Sequence, residues 1–346
     1  MGNSTKDILN AIQQRNLVYN STFLYYSNQT TEGTSTTYNH PDGWIYTDSG
    51  SNAKVGYDTK YKSCTIQKSS DDSLMTFKQV ISEFPRSESI LSEQKVSAHA
   101  VIQNRKDTVT LPFEVVFSIS DGVSTSSKSY YFDPEDKKEI TIEMEVYKNP
   151  STLKLSITSS TPNVIIYIDQ IFANIGEVAL STLPCIVEGV IGERKQYIAT
   201  ETAPAEEFSL CNVAAELNGD YTRLNSVLNG RFGIGDNGYS MLLDMRGYFS
   251  RAWDNGANVD PNAADRSAPG TGTITGDHAS TFEQDAFLKH DHGLDFSINQ
   301  QIIPGDKPPA ITVINTAASS KSNEDTYEGK ETRPKNIYEL YTIKWA

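Results

Sequence analysis

From Asn16 to about Ala179 the chain repeats one pattern: short apolar runs in which polar residues alternate, separated by turn residues. The clearest case is Leu111–Ser120, where Phe113, Val115, Phe117 and Ile119 fall on one face, the period-2 signature of a half-buried strand. Asp121-Gly122 follows as a turn, and Lys128–Phe132, Ile140–Val146, Leu153–Ile157 and Val164–Ile168 continue at short intervals. Short strands rich in Thr, Val, Ile and Tyr and broken by frequent turns predict a mainly β fold, a β-sandwich or jelly roll over residues 16–180. The first fifteen residues differ. Ser4 or Thr5 can cap a helix in which Ile8, Ala11 and Ile12 share a face that Leu9 widens. So short a helix is marginal by itself and is expected to pack on something; residues 1–15 are a frayed tag on the first domain, a joint to a partner structure or a small coiled-coil trimer.

From about Ser181 the texture changes to Gly, Asn, Asp and Pro turns between very short apolar runs, with Gly233, Gly235, Gly238, Gly247, Gly256, Gly270, Gly272 and Gly276 in quick succession. Long irregular stretches are uncommon in a compact domain, so this half is expected to be intertwined with copies of itself. Residues 181–202 are a connector in this reading and residues 203–346 the second domain.

Composition narrows the functions. The chain has 346 residues, room for about two domains. Only 21% of it is charged, 37% is hydrophobic, and mean hydropathy is -0.45, so the polar surplus is neutral Ser, Thr, Asn and Gln. The formal net charge of -14 argues against a nucleic-acid partner, because phosphate neutralisation needs a basic surface. No run approaches the ~20 apolar residues that span a bilayer, so membrane insertion is not expected. Met1–Lys6 lacks the apolar core of a secretory leader. Cys64, Cys185 and Cys211 are odd in number and far apart, which fits free thiols.

Two resemblances follow from particular residues. Asn16-Leu-Val-Tyr-Asn-Ser-Thr-Phe23, Pro41-Asp-Gly-Trp44 and the closing run Val164–Ile171 resemble the jelly-roll carbohydrate-binding modules appended to glycan-degrading enzymes and adhesins. Residues 203–346 resemble the tail-collar domain of bacteriophage tail fibres. That likeness is carried by Asp244-Met-Arg-Gly-Tyr-Phe249, the looser Asp260–Arg266 turn, Gln284–His292 with its His-x-His, and Glu331-Thr-Arg-Pro-Lys-Asn336 leading into an apolar strand. Its opening element departs from the family: Leu210-Cys-Asn-Val213 stands where Cys-Asp-Gly is usual.

The site chemistry has two parts. Trp44, Tyr46, Tyr57, Tyr61, Tyr130 and Tyr131 lie among polar residues and are candidate glycan contacts, since a sugar ring stacks on an aromatic face while its hydroxyls seek polar partners. The competing reading is that Trp44 and about half of the tyrosines are core or rim packing. On an extended segment His290 and His292 share a face, but two ligands are too few for a metal. Three chains on a threefold axis would supply six. In the resembled family such pairs hold a metal on the trimer axis, which implies one divalent transition metal, Fe or Zn, per trimer at His290 and His292. The motif Gly233-Ile-Gly-Asp-Asn-Gly238 has no strand and helix around it and reads as turn glycines.

The expectation is therefore a non-enzymatic, trimeric receptor-binding fibre of a phage or phage-derived contractile particle, in which a jelly roll is followed by an intertwined trimeric tail-collar domain. It would bind host cell-surface glycans and join a tail or baseplate protein through its N-terminus. Made in the cytoplasm, it would leave with the virion tail or extracellular particle. The alternatives are a glycan-cleaving tail enzyme and a purely structural collar protein.

Overall fold

In the computed structural model, residues 15–27, 40–50, 53–105, 111–284 and 336–346 are described. Met1–Phe282 with Glu339–Ala346 form one compact unit, and Glu283–Tyr338 form a second, almost all of which lies outside the described residues. So do the expected N-terminal helix and the His290/His292 pair.

The alternating runs become ten strands: β1 (Ile45–Thr47), β2 (Lys54–Asp58), β3 (Ser63–Gln67), β4 (Met75–Val80), β5 (Lys95–Gln103), β6 (Phe113–Ser120), β7 (Thr125–Phe132), β8 (Lys137–Glu145), β9 (Lys154–Ser159) and β10 (Ile165–Ile175). They build two antiparallel five-stranded sheets, in the orders β1-β4-β9-β6-β7 and β2-β3-β10-β5-β8. The chain changes sheet at every connection except β2 to β3 and β6 to β7, which makes the domain a β-sandwich of jelly-roll type. Phe113, Val115, Phe117 and Ile119 on β6 are buried as the alternation predicts, facing Ile66, Ile102, Ile140 and Ile166 of the other sheet in one core. Each such side chain contributes about 1.5–3 kcal/mol by leaving water.

The turns are equally local in origin. Asp121 takes the N–H groups of Val123 (2.9 Å) and Ser124 (2.7 Å) at the β6–β7 turn and reaches across to the N–H of Tyr147 (2.7 Å). In the Pro41–Trp44 turn, Trp44 N–H donates to Pro41 C=O at 3.0 Å and Gly43 sits at φ 82°. A Cβ on Gly43 would stand 2.7 Å from the Tyr19 ring, so this position needs glycine twice over.

Beyond the sandwich, the Gly-rich half is not formless within one chain. Strand β11 (Arg194–Tyr197), inside the expected connector, and β12 (Glu207–Ser209) flank β13 (Leu340–Lys344) in a three-stranded antiparallel sheet. With Ser87–Leu91 as α1, the helix α2 (Thr222–Leu228) supplies Leu224, Val227 and Leu228 to a second, smaller core with Val187, Ile191, Leu210, Leu217, Phe232 and Leu242. The expectation that this half lacks a core of its own is corrected up to Leu242: short apolar runs separated in sequence meet in space, which no periodicity reveals. The Gly233–Gly238 stretch is turn backbone, as expected, closed by an Ile234–Ser240 bridge and a Gly238 N–H to Gly235 C=O bond at 3.1 Å.

One buried tie joins this lobe to the sandwich. The Tyr221 N-cap of α2 makes no side-chain cap. Instead the Glu83 carboxylate, from the loop after β4, accepts the N–H groups of Thr222 and Arg223, both at 2.8 Å, and the Thr222 hydroxyl. Arg223, wholly buried, returns the contact: its guanidinium donates to the carbonyls of Glu83 (3.1 Å) and Leu17 (2.9 Å) and to the Gln79 amide oxygen (3.5 Å). A carboxylate at a helix start is favoured by the orphan N–H groups and the helix dipole.

Two outcomes follow from this architecture. Arg223→Ala should lower unfolding stability by about 3–5 kcal/mol, because it removes the positive charge beside the buried Glu83 carboxylate and leaves the carbonyls of Glu83 and Leu17 without that donor, and hydrogen exchange should accelerate in residues 187–245 before the sandwich strands. Asp121 is held below the ordinary aspartate value of 3.8: burial pushes it up, and the N–H groups of Ser124, Tyr147 and Val123 more than offset that. Its contribution is thus complete above that value and is lost as pH falls through the lower folded one. Asp121→Asn should flatten the acid limb of a stability–pH curve and leave its neutral plateau lower.

Candidate functional site

The aromatic residues singled out from sequence take three different places. Trp44 is a correction. It is fully buried, stacked on Phe77 at 4.6 Å and tilted against Phe23 at 5.5 Å, so it has no face for a ligand. Tyr46, Tyr57 and Tyr130 lie on sheet edges β1, β2 and β7 at core-facing register positions, opposite Phe77, Cys64 and Val115. Tyr46 and Tyr130 pack against the core at the rim of the sandwich with their hydroxyls on polar partners, and the Tyr57 ring lies 5.5 Å from that of Tyr26. The Tyr130 hydroxyl accepts the Thr141 N–H at 3.1 Å and donates to the Thr141 carbonyl at 2.5 Å, linking the two sheets. Tyr46 donates to Gln67 C=O at 3.3 Å. Burial pushes the Tyr46 hydroxyl well above its ordinary range, aided by the Asp48 carboxylate.

Only Tyr61 and Tyr131 stand outside the core. Tyr131 is 54% exposed on the outer face of β7, opposite Glu114 of β6. Tyr61, in the β2–β3 turn, belongs to a cluster that sequence did not reveal. The Arg105 guanidinium lies 4.0 Å from the Tyr61 ring and 4.7 Å from the Tyr167 ring, and pairs with Asp169 at 3.2 Å and with the Gln103 amide oxygen at 2.7 Å. Lys137 shares Asp169 at 3.0 Å. A β-bulge between Ile168 and Gln170 aims Asp169 at this cluster. Its charges are spent on one another, and the ammonium of Lys60 is also over the Tyr61 ring at 4.4 Å. The arrangement locks the end of sheet β2-β3-β10-β5-β8 and leaves few groups for a ligand.

A concave site lies elsewhere, where the lobe meets the outer face of the first sheet. The cleft has a volume of about 580 Å³, within the ~300–1,000 Å³ typical of ligand pockets. Its floor is sheet: Ile45 on β1, Lys78 and Val80 on β4, Lys154 on β9. One wall comes from α1 and the loop before it, with Glu83 and Glu88, and the other from Gly219–Thr222 and Trp345. Trp345 follows β13 and meets Tyr221 edge-on at 5.0 Å, with Phe208 tilted against Trp345 at 6.3 Å and edge-on to Tyr221 at 4.7 Å. This trio is partly buried and packs on the second core, so two amphipathic rings are held at a right angle beside the cleft.

The charges differ in their availability. Burial pushes the Glu83 carboxyl above its ordinary value, against the Arg223 charge and the donors of Thr222 and Arg223; its oxygens are occupied by the start of α2. The side chains of Lys78, Lys154, Glu88 and Asp220 line the cleft and make no hydrogen bond or ion pair with another described residue. The site therefore offers stacking faces, two ammoniums and two carboxylates to whatever enters. Sequence reasoning missed Lys78, Lys154, Tyr221 and Trp345 because they come from four separate segments. Trp345, one of three tryptophans, was the only available hint.

Among the described residues no group of three or more His, Cys, Asp and Glu could hold a metal ion, and no helix is long and apolar enough to cross a membrane.

No family model matches the chain. Protein RhiB of Rhizobium leguminosarum bv. viciae is 26% identical over 168 residues, 48% of this chain and 76% of that protein. Among solved structures, the CBM22-1 xylan-binding domain from Paenibacillus barcinonensis Xyn10C is similar over 47% of this chain and 96% of its own, with 13% identity and a TM-score of 0.32. The enzymatically active domain of tailspike protein 4 of Bacteriophage CBA120 is similar over 46% of this chain and 21% of its own, with 12% identity and a TM-score of 0.32. The jelly-roll assignment above stands on strand order and register in this chain.

Proposed function

We propose that this protein is a non-catalytic glycan-binding protein whose cleft between sandwich and lobe holds the sugar, and that it acts as a trimeric receptor-binding fibre on a phage or phage-derived particle. The observation that carries the binding reading is the pair Trp345 and Tyr221 standing at a right angle over a sheet floor with unengaged polar groups. A sugar ring presents an apolar face to one ring while its hydroxyls meet Lys78, Lys154, Glu88 and Asp220. Edge tyrosines and Trp44 hold the sandwich together in this reading and touch no ligand.

Assembly into a trimer is supported by a second observation. Tyr248, Phe249, Trp253 and Val259 are 46%, 68%, 52% and 77% exposed on the described part of the lobe, large apolar side chains close together in sequence that association of copies would cover. Three copies would raise the avidity of weak single sugar sites by roughly 10²–10⁴ without new contacts. The axial metal at His290 and His292, and attachment to a tail or baseplate protein through residues 1–15, belong to the same proposal.

Two experiments test it. On a glycan array the full chain should bind without releasing reducing sugar. Trp345→Ala should cut affinity at least about tenfold by losing one stacking contact of ~1.5 kcal/mol or more. Because Trp345 also packs, the same binding should be read in a Trp253→Phe protein, where glycan addition changes the emission of Trp345 and not that of buried Trp44; unchanged emission with bound glycan would remove the cleft from the reading. Light scattering with metal analysis should give three chains per ion, and His290→Ala with His292→Ala should lose the metal and lower the thermal midpoint. A metal-free monomer would sink the fibre assignment.

A further inference from the structure

We infer that the cleft selects anionic glycans, those bearing carboxylate or sulfate groups, an inference that rests on the glycan-binding reading above. The register of β4 with β9 sets Lys78 opposite Ser156 and Lys154 opposite Val80. Lys78 and Lys154 are thus diagonal neighbours on the same outward face, ~7–8 Å apart at the backbone and within reach of one another's long side chains. Two cations so placed repel, and a protein with a net charge of -14 has carboxylates to spare for pairing them. Elsewhere it does so: Lys68 meets Asp48 at 3.4 Å, Lys95 meets Glu143 and Glu177 at 3.1 and 2.5 Å, and Lys195 meets Glu207 at 2.9 Å. On the cleft floor neither lysine has a partner among the described residues.

The carboxylates that share the cleft do not cancel the pair. Glu83 is turned to the N–H groups of Thr222 and Arg223. Glu88 and Asp220 are exposed on opposite walls, solvated and unpaired with either lysine among the described residues; there they can accept sugar hydroxyls. A neutral sugar settling on the floor would strip water from two ammoniums and return no charge to them, a desolvation cost that an anionic sugar repays. The rings of Trp345 and Tyr221 grip any pyranose, and the lysine pair discriminates among them.

The test measures binding of the full chain to polygalacturonate, to its methyl ester, which keeps the backbone and removes the charge, and to dextran sulfate. The expected result is at least about tenfold tighter binding of polygalacturonate or dextran sulfate than of the methyl ester, shrinking as salt is raised. Lys78→Met with Lys154→Met should weaken binding of polygalacturonate and dextran sulfate far more than that of the methyl ester, erasing the preference and its salt dependence. Preference for polygalacturonate alone assigns carboxylate, and preference for both polyanions assigns charge in general. Equal or tighter binding of the ester, or a preference that survives the double substitution, overturns the inference and leaves the glycan reading standing. Binding to none of the three overturns both. Should the double variant fail to fold, the selectivity of the unaltered chain and its salt dependence decide the matter.

Discussion

The described unit depends on the exchange between Glu83 and Arg223. A seven-residue helix without a side-chain cap of its own is a poor independent element. The carboxylate that satisfies its first N–H groups comes from the sandwich, and the guanidinium that leaves the helix reaches back to Glu83, Leu17 and Gln79. Gln79 in turn clamps the Tyr19 backbone through both its amide groups, at 2.8 and 2.9 Å. Tyr19 carries the link into the second core and accepts the Ile191 N–H at 3.2 Å. Burying these charges is costly, and the geometry that repays it is specific to one docking of lobe on sandwich. The cleft exists because that docking holds Gly219–Thr222 and Trp345 over the sheet floor.

The same chemistry serves opposite ends in the two halves of the surface. Around Tyr61, the charges of Arg105, Asp169 and Lys137 satisfy one another and the rings of Tyr61 and Tyr167 are taken by the guanidinium. In the cleft, rings, ammoniums and carboxylates are brought close without being consumed. A structural cluster is recognised by its closed partner list and a binding site by groups kept near one another at some electrostatic cost. Residue type alone does not separate the two.

The proposed glycan cleft, set between a rigid sandwich and an irregular lobe, divides its parts between the two. The jelly roll supplies a floor whose register is set by core burial on its other face, so Lys78 and Lys154 cannot slip to a different spacing without turning Phe77 and Leu155 out of the core. The lobe supplies walls and, through Tyr248, Phe249, Trp253 and Val259, apolar surface that association would cover.

Local rules carried much of the fold. The alternation of Phe113, Val115, Phe117 and Ile119, the Asp121-Gly122 turn and the glycine before Trp44 were legible because each involves neighbours in sequence and a fixed backbone period. Alternation could not say which sheet a strand joins, since the chain crosses between sheets at most connections, nor whether an aromatic at a sheet edge faces core or solvent. So Trp44, fully buried, has no face for the ligand contact expected of it, and Tyr46, Tyr57 and Tyr130 sit at register positions opposite Phe77, Cys64 and Val115. The second core and the cleft were invisible for a stronger reason. Lys78, Lys154, Tyr221 and Trp345 are separated by up to hundreds of residues, and what unites them is a buried Glu83–Arg223 contact with no sequence period at all. The chain by itself determined strands, turns and an acidic, polar surface; only tertiary packing decided where a concave site could form, because concavity is made by the docking of distant segments.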